Sequence, residues 1–145
     1  MTATLYNAQI LRLATSIPHQ ERLDEPQATS SKRSPICGSR VTVDVIVDDE
    51  GRIVNLGQEV RACALGQAAA ALMAEHAIGR TPAELADARD ALTAFLAGER
   101  DDPGDWPGLN LFAPARPHAA RHPSIRLAFE AVAEAAAQAS SGRAR

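Results

Sequence analysis

Aromatic side chains are scarce in this 145-residue chain: Tyr6, Phe95, Trp106, Phe112 and Phe129 make up 3% of it. The core must therefore be built from Ala, Leu, Val and Ile packed closely together, and platforms for stacking nucleic-acid bases are not expected. Lysine occurs once, as Lys32, and 15 basic against 18 acidic residues leave a formal net charge of −3. That balance gives no overall attraction to nucleic acid or to an anionic membrane. No apolar run approaches the roughly 18 to 20 residues of a membrane span, and the N-terminus lacks a basic segment followed by an apolar stretch and a cleavage site. A soluble, cytoplasmic protein is expected. There is no Ser-His-Asp set, no phosphate-binding glycine loop and no paired carboxylates in an expected cleft, so the sequence does not read as an enzyme.

What is present has the length of one domain. Residues Thr4 to Ile17 carry Leu5, Ala8, Ile10, Leu11 and Leu13 near helical spacing, and Pro18 stops the pattern. His19 to Pro35 has no sustained period and reads as loop, with room for one short edge strand. Val41, Val43, Val45 and Val47 then alternate with other residues, the period of a strand with one apolar face. Asp48–Gly51 forms a turn, and Val54, Leu56, Gln58 and Val60 resume the period, giving an antiparallel hairpin with room for a bulge near Gly57. A helix follows from Ala64 to Ile78, with Leu65, Ala69, Leu72, Met73 and His76 on one side. Thr81-Pro82-Ala83-Glu84 opens another as a capping box that runs to Gly98. Glu99 to Arg121 reads as a long connection, irregular or with one short helix. Ile125, Phe129, Val132 and Ala136 then form the stripe of a terminal helix. The expectation is one α+β domain over residues 1–139, a small antiparallel sheet of two to three strands packed by four to five helices, and a disordered tail over 140–145.

Two cysteines can be no more than small buried side chains, but their positions point to chemistry. Cys37 lies just before the first strong strand, and Cys63 where the second gives way to a helix N-terminus, whose free N–H groups and dipole favour thiolate. A hairpin brings the start of its first strand near the end of its second, so the two thiols should meet at one end of the sheet. A disulfide between them is not expected in a reducing cytoplasm. His122, before Pro123 and Ser124, opens the last helix, where a cap residue would point outward; His76 and His118 read as ordinary surface histidines. Arg116, Arg121 and Arg126, with no acidic residue between Trp106 and Phe129, read as solvated arginines or as a face for an acidic partner.

Cys37-Gly38-Ser39, Val41 to Asp48, Gly51-Arg52-Ile53, Ala62-Cys63-Ala64-Leu65-Gly66-Gln67-Ala68, Phe112 to Arg116 and Arg121 to Phe129 together resemble the IscU/SufU/NifU N-terminal family of iron–sulfur cluster assembly scaffolds. The resemblance runs from Leu5 to about Ala137, and the long connection before the last helix is similar to the SufU type. It implies a site where three cysteines and an aspartate converge. Cys37 and Cys63 match two of the cysteines, Ser39 replaces the aspartate, Pro123 replaces the third cysteine, and His122 matches the histidine of IscU-type members. The implied ligands are thus Cys37, Cys63 and His122, with Ser39 beside them and a fourth position open.

The reading that follows is a scaffold that binds iron, accepts sulfur from a cysteine desulfurase and builds a transient iron–sulfur cluster, of the 2Fe-2S type, for recipient apoproteins. A homodimer sharing one cluster would supply the missing ligands. Two alternatives stay open: a zinc-containing sulfur-transfer partner of a desulfurase, and an interaction module whose cysteines are vestigial.

Overall fold

The computed structural model describes residues 6–35 and 38–143. Its elements run, in chain order, α1 (Ala8–Ala14), β1 (Ala28–Arg33), β2 (Arg40–Val47), β3 (Ile53–Arg61), α2 (Ala64–His76), α3 (Pro82–Leu96), two 3-10 segments (Leu109–Ala115 and Ala119–Arg121) and α4 (His122–Arg143). The strands form one antiparallel sheet in the order β1-β2-β3, so the α+β expectation holds.

The valine alternation of β2 does what its period implies. Val41, Val43, Val45 and Val47 face inward and are buried, and α4 lies across β1 and β2 on that side. The short edge strand for which His19 to Pro35 has room is β1, whose Ala28–Arg33 pairs with Arg40–Val45. The register irregularity falls at Ile46/Val47, not at Gly57. Gly57 answers a different need: a Cβ there would overlap the Glu21 carbonyl oxygen and come within 2.9 Å of the Leu23 nitrogen. The chain before β1 crosses the sheet at this point, close enough that only a bare backbone fits. Gly57→Ala should therefore destabilise the fold by about 2 kcal/mol, the range of an overpacked site, read as a lower urea midpoint.

Helix ends follow local chemistry. Asn7 caps α1, its Oδ1 accepting from the Ile10 N–H at 3.0 Å. The helix stops at Thr15, whose hydroxyl turns back to the Leu11 and Arg12 carbonyls, so α1 is shorter than the periodicity predicts; residues 4–5 of that expectation lie outside the described residues. The Thr81–Glu84 capping box forms in both directions.

Two sequence expectations need correction. Helix α2 is buried nearly all round, including Ala68, Ala70, Ala71 and Ala74, because α1 and α4 both pack on it and alanine lets them approach closely. The tail expected to be disordered from Ser140 is instead helical to Arg143. Ala139 is buried there, and the Ser140 hydroxyl lies over Gly51, so the helix packs through Ser140, beyond which Ser141 and Gly142 are exposed. The long connection is anchored by Trp106, whose Nε1 donates to the Leu72 carbonyl at 2.9 Å and whose ring meets Phe129 edge-on.

Candidate cluster-assembly site

The β1–β2 turn is closed by two backbone hydrogen bonds, Ser34 N–H to the Ser39 carbonyl at 2.8 Å and Gly38 N–H to the Ser34 carbonyl at 3.0 Å. Gly38 sits at φ +73°, a left-handed conformation that glycine adopts without strain, and is exposed. Cys37, the first ligand expected, lies outside the described residues, as does Ile36. Next to them Ser39 turns inward and is buried, while Arg40 pairs directly with Arg61 of β3. Two residues beyond Arg61, the half-buried Cys63 is the N-cap of α2, in extended conformation (φ −68°, ψ 172°), with no hydrogen bond from its side chain to the helix. Its carbonyl accepts from the Gln67 N–H at 2.9 Å. The thiol is thus set at the helix N-terminus by the backbone alone, leaving the side chain uncommitted to capping.

The N-terminus of α4 closes the same end. A Cβ on Gly66, in the first turn of α2, would lie 3.1 Å from the Ser124 carbonyl oxygen and 3.6 Å from the Ser124 Cβ. Gly66 therefore allows α2 and α4 to meet just beneath Cys63. Ser124, itself buried, reaches across to β2, its hydroxyl 3.3 Å from that of Ser39. Ser124 is the site residue that the sequence reading missed; its only signal was its place next to Pro123.

His122 departs from expectation. It is the first residue of α4, but half-buried, and its ring turns inward so that Nε2 lies 2.9 Å from the Ala115 carbonyl oxygen. A carbonyl only accepts, so Nε2 carries the hydrogen and the neutral imidazole keeps its lone pair on Nδ1. This is the arrangement in which a backbone carbonyl fixes the tautomer of a ligating histidine.

The remaining candidates are structural. Arg116 donates to the Phe95 and Arg100 carbonyls at 2.8 and 2.9 Å and covers the Phe95 ring, so it anchors the connection and is not a freely solvated arginine. Arg126 lies 3.8 Å from Glu130, and Arg121 lies over Tyr6. His76 meets the edge of Trp106. Among the described residues no group of three His, Cys, Asp or Glu side chains is placed to hold a metal ion; that set contains Cys63 and His122 but not Cys37.

This geometry can be compared with known proteins. The model of the NifU-like N-terminal domain matches residues 5–98, well over half of the chain. The chain belongs to that family. The iron–sulfur cluster assembly scaffold protein IscU of Thermotoga maritima is 27% identical over 131 residues, 90% of this chain and 92% of the relative. The crystal structure of the N-terminal NifU-like protein of Brucella abortus superposes with a TM-score of 0.89 at 38% identity, covering 94% of this chain and 95% of that one. A protein of Fervidobacterium islandicum, described as a scaffold for the SUF system, shares the fold with a TM-score of 0.83 at 20% identity, covering 91% and 96%. The family match runs from α1 through α3, the likeness to the Brucella abortus protein extends over nearly the whole chain, and with the IscU relative they place the chain in the iron–sulfur cluster assembly scaffold family. No helix among the described residues is long and apolar enough to cross a membrane.

Proposed function

We propose that this NifU-like domain accepts sulfur and iron at the end of the sheet formed by the β1–β2 turn, Cys63 and His122, and assembles there a transient iron–sulfur cluster for transfer to apoproteins. The observation that carries this reading is the N-cap position of Cys63, a thiol at a helix N-terminus with its side chain free of capping duties, on a helix whose first turn meets the start of α4 at Gly66 and Ser124. Sulfur enters when a Cys63 or Cys37 thiolate attacks the outer sulfur of a persulfide on a cysteine desulfurase. The S–S bond of that persulfide breaks, the desulfurase leaves as a thiolate, and the sulfane sulfur stays on this chain as a persulfide, which two electrons from an external thiol reductant then convert to the cluster's sulfide with return of the thiolate. Iron, the other part of the cargo, is taken by Cys37, Cys63 and Nδ1 of His122.

The donor set favours a cargo over a resident zinc ion. Structural zinc is closed by four protein ligands, whereas the hydroxyls of Ser39 and Ser124 lie against each other and serine deprotonates too reluctantly to replace a carboxylate. Three ligands and one open position suit a cluster that has to leave. A second copy of the chain sharing the cluster would fill the open position.

The test is anaerobic reconstitution with iron, cysteine, a thiol reductant and a cysteine desulfurase, followed by iron and acid-labile sulfide analysis. Near-equal iron and sulfide with the absorbance of a cluster are expected, and His122→Ala, which removes a ligand, should retain more than about tenfold less iron while still accepting sulfur. Tightly bound zinc without sulfide would replace this reading with zinc-dependent sulfur transfer. Neither metal nor sulfide would leave an interaction module.

A further inference from the structure

The strand register places three arginines on a single rung of the sheet. Arg33 of β1 lies directly opposite Arg40 of β2, and Arg40 directly opposite Arg61 of β3. Cross-strand partners point to the same face, and since Val41 and Val43 face the helices, this rung stands on the opposite side, where all three residues are exposed. Like charges placed directly opposite one another destabilise a sheet. Arg61 relieves part of this through Glu59, at 3.2 Å; the guanidinium groups of Arg33 and Arg40 make no hydrogen bond or ion pair with another described residue. In a chain of net charge −3, this is a local concentration of positive charge that Glu59 offsets only in part.

Its position gives it meaning. Arg40 follows Ser39, Arg61 precedes Cys63 by two residues, and Arg33 leads into the turn that holds Cys37, so the rung borders the proposed site on its solvent side. A protein that brings a sulfur atom to this end of the sheet from the rung's face meets these arginines. We propose that the Arg33–Arg40–Arg61 rung docks a carboxylate-rich segment of the sulfur-donating desulfurase, which supplies counter-charge to Arg33 and Arg40 and sets the donor over the β1–β2 turn. This rests on the functional reading above and adds to it the surface and chemistry of the partner. Charges at such an interface rim act chiefly on association rate and salt dependence.

The experiment measures binding of the full chain to a cysteine desulfurase over a series of chloride concentrations, for the wild type, for Arg33→Gln/Arg40→Gln and for Arg33→Lys/Arg40→Lys. With up to about fivefold from each exposed charge pair, the glutamine variant should bind roughly tenfold more weakly at low salt and with a shallower salt dependence. The lysine variant should keep most of the affinity. The melting temperature of the glutamine variant should not fall, since a repulsion has been removed, which separates lost docking from lost folding. Wild-type binding that the glutamine substitutions leave unchanged in strength and salt dependence overturns the rung while leaving the scaffold reading intact. Failure of the wild type to bind or take sulfur from any desulfurase overturns both. Inorganic phosphate bound by the wild type and lost in the glutamine variant, with desulfurase affinity unchanged, would mark a free-anion site and overturn the docking proposal.

Discussion

Replacing Cys63 by alanine should abolish cluster assembly while leaving the fold in place. Disturbing a group that only supports a ligand already costs about tenfold or more in metal affinity, so losing the thiolate itself should reduce reconstituted iron and sulfide by more than that. The fold should change by less than about 1 kcal/mol, because the cost of losing a cap arises from its hydrogen bond and the Cys63 side chain makes none. Iron and sulfide analysis beside a thermal melt separates the two effects. A variant that still assembled a full cluster would show that the helix N-terminus is not the acceptor. An unfolded variant would show that Cys63 is a packing residue.

The second large effect lies away from the site. Asp44 has a fully buried side chain and accepts four hydrogen bonds: from Arg22 Nε at 2.7 Å and Nη2 at 3.1 Å, from the Leu23 N–H at 3.0 Å and from Thr29 Oγ1 at 2.6 Å. It therefore ties the segment crossing the sheet at Gly57 to both β1 and β2. Asp44→Ala would leave the half-buried Leu23 N–H without its acceptor. Thr29 and Arg22 are exposed and regain water, so the expected loss is about 2 kcal/mol, or roughly 6 °C in Tm.

The same carboxylate should make stability depend on acid. Burial by itself would raise its pKa, but the hydrogen bonds from Arg22, Thr29 and the Leu23 N–H outweigh burial and hold it below the ordinary value. Glu134, held by hydrogen bonds from Ser30 and Lys32, is lowered as well. A carboxyl with a folded pKa below its unfolded one stabilises the fold above the unfolded value of about 4 and loses that contribution as pH falls through the folded value. The wild type should therefore lose melting temperature below about pH 4, and Asp44→Ala should show a flatter acid limb. A variant with the wild-type slope would assign the acid response to other groups.

Much of the architecture was legible in the chain because it is locally encoded. The valine period of β2, the Asp48–Gly51 turn, the capping box at Thr81 and the stripe Ile125, Phe129, Val132 and Ala136 each carry their own signal, as does the cysteine at the junction of β3 and α2. Strand β1 was less visible: Ala28–Arg33 is polar, half of it is exposed, and its strand character comes from pairing with β2. The burial of α2 on nearly every side was hidden because alanine fits an exposed helix and a buried one equally well.

By itself the sequence determined the α+β order of elements, the family and the nomination of Cys37, Cys63, His122 and Ser39, since each depends on residue type, spacing or an element's end. Only the tertiary structure decided how Cys63, Ser39 and the start of α4 come together, through the contact of Gly66 with Ser124. It also decided that His122 faces inward to the Ala115 carbonyl, that Gly57 serves a crossing segment and that three arginines share one rung. These features depend on register and on approach between elements far apart in the chain, where long-range packing fixes what local spacing leaves open.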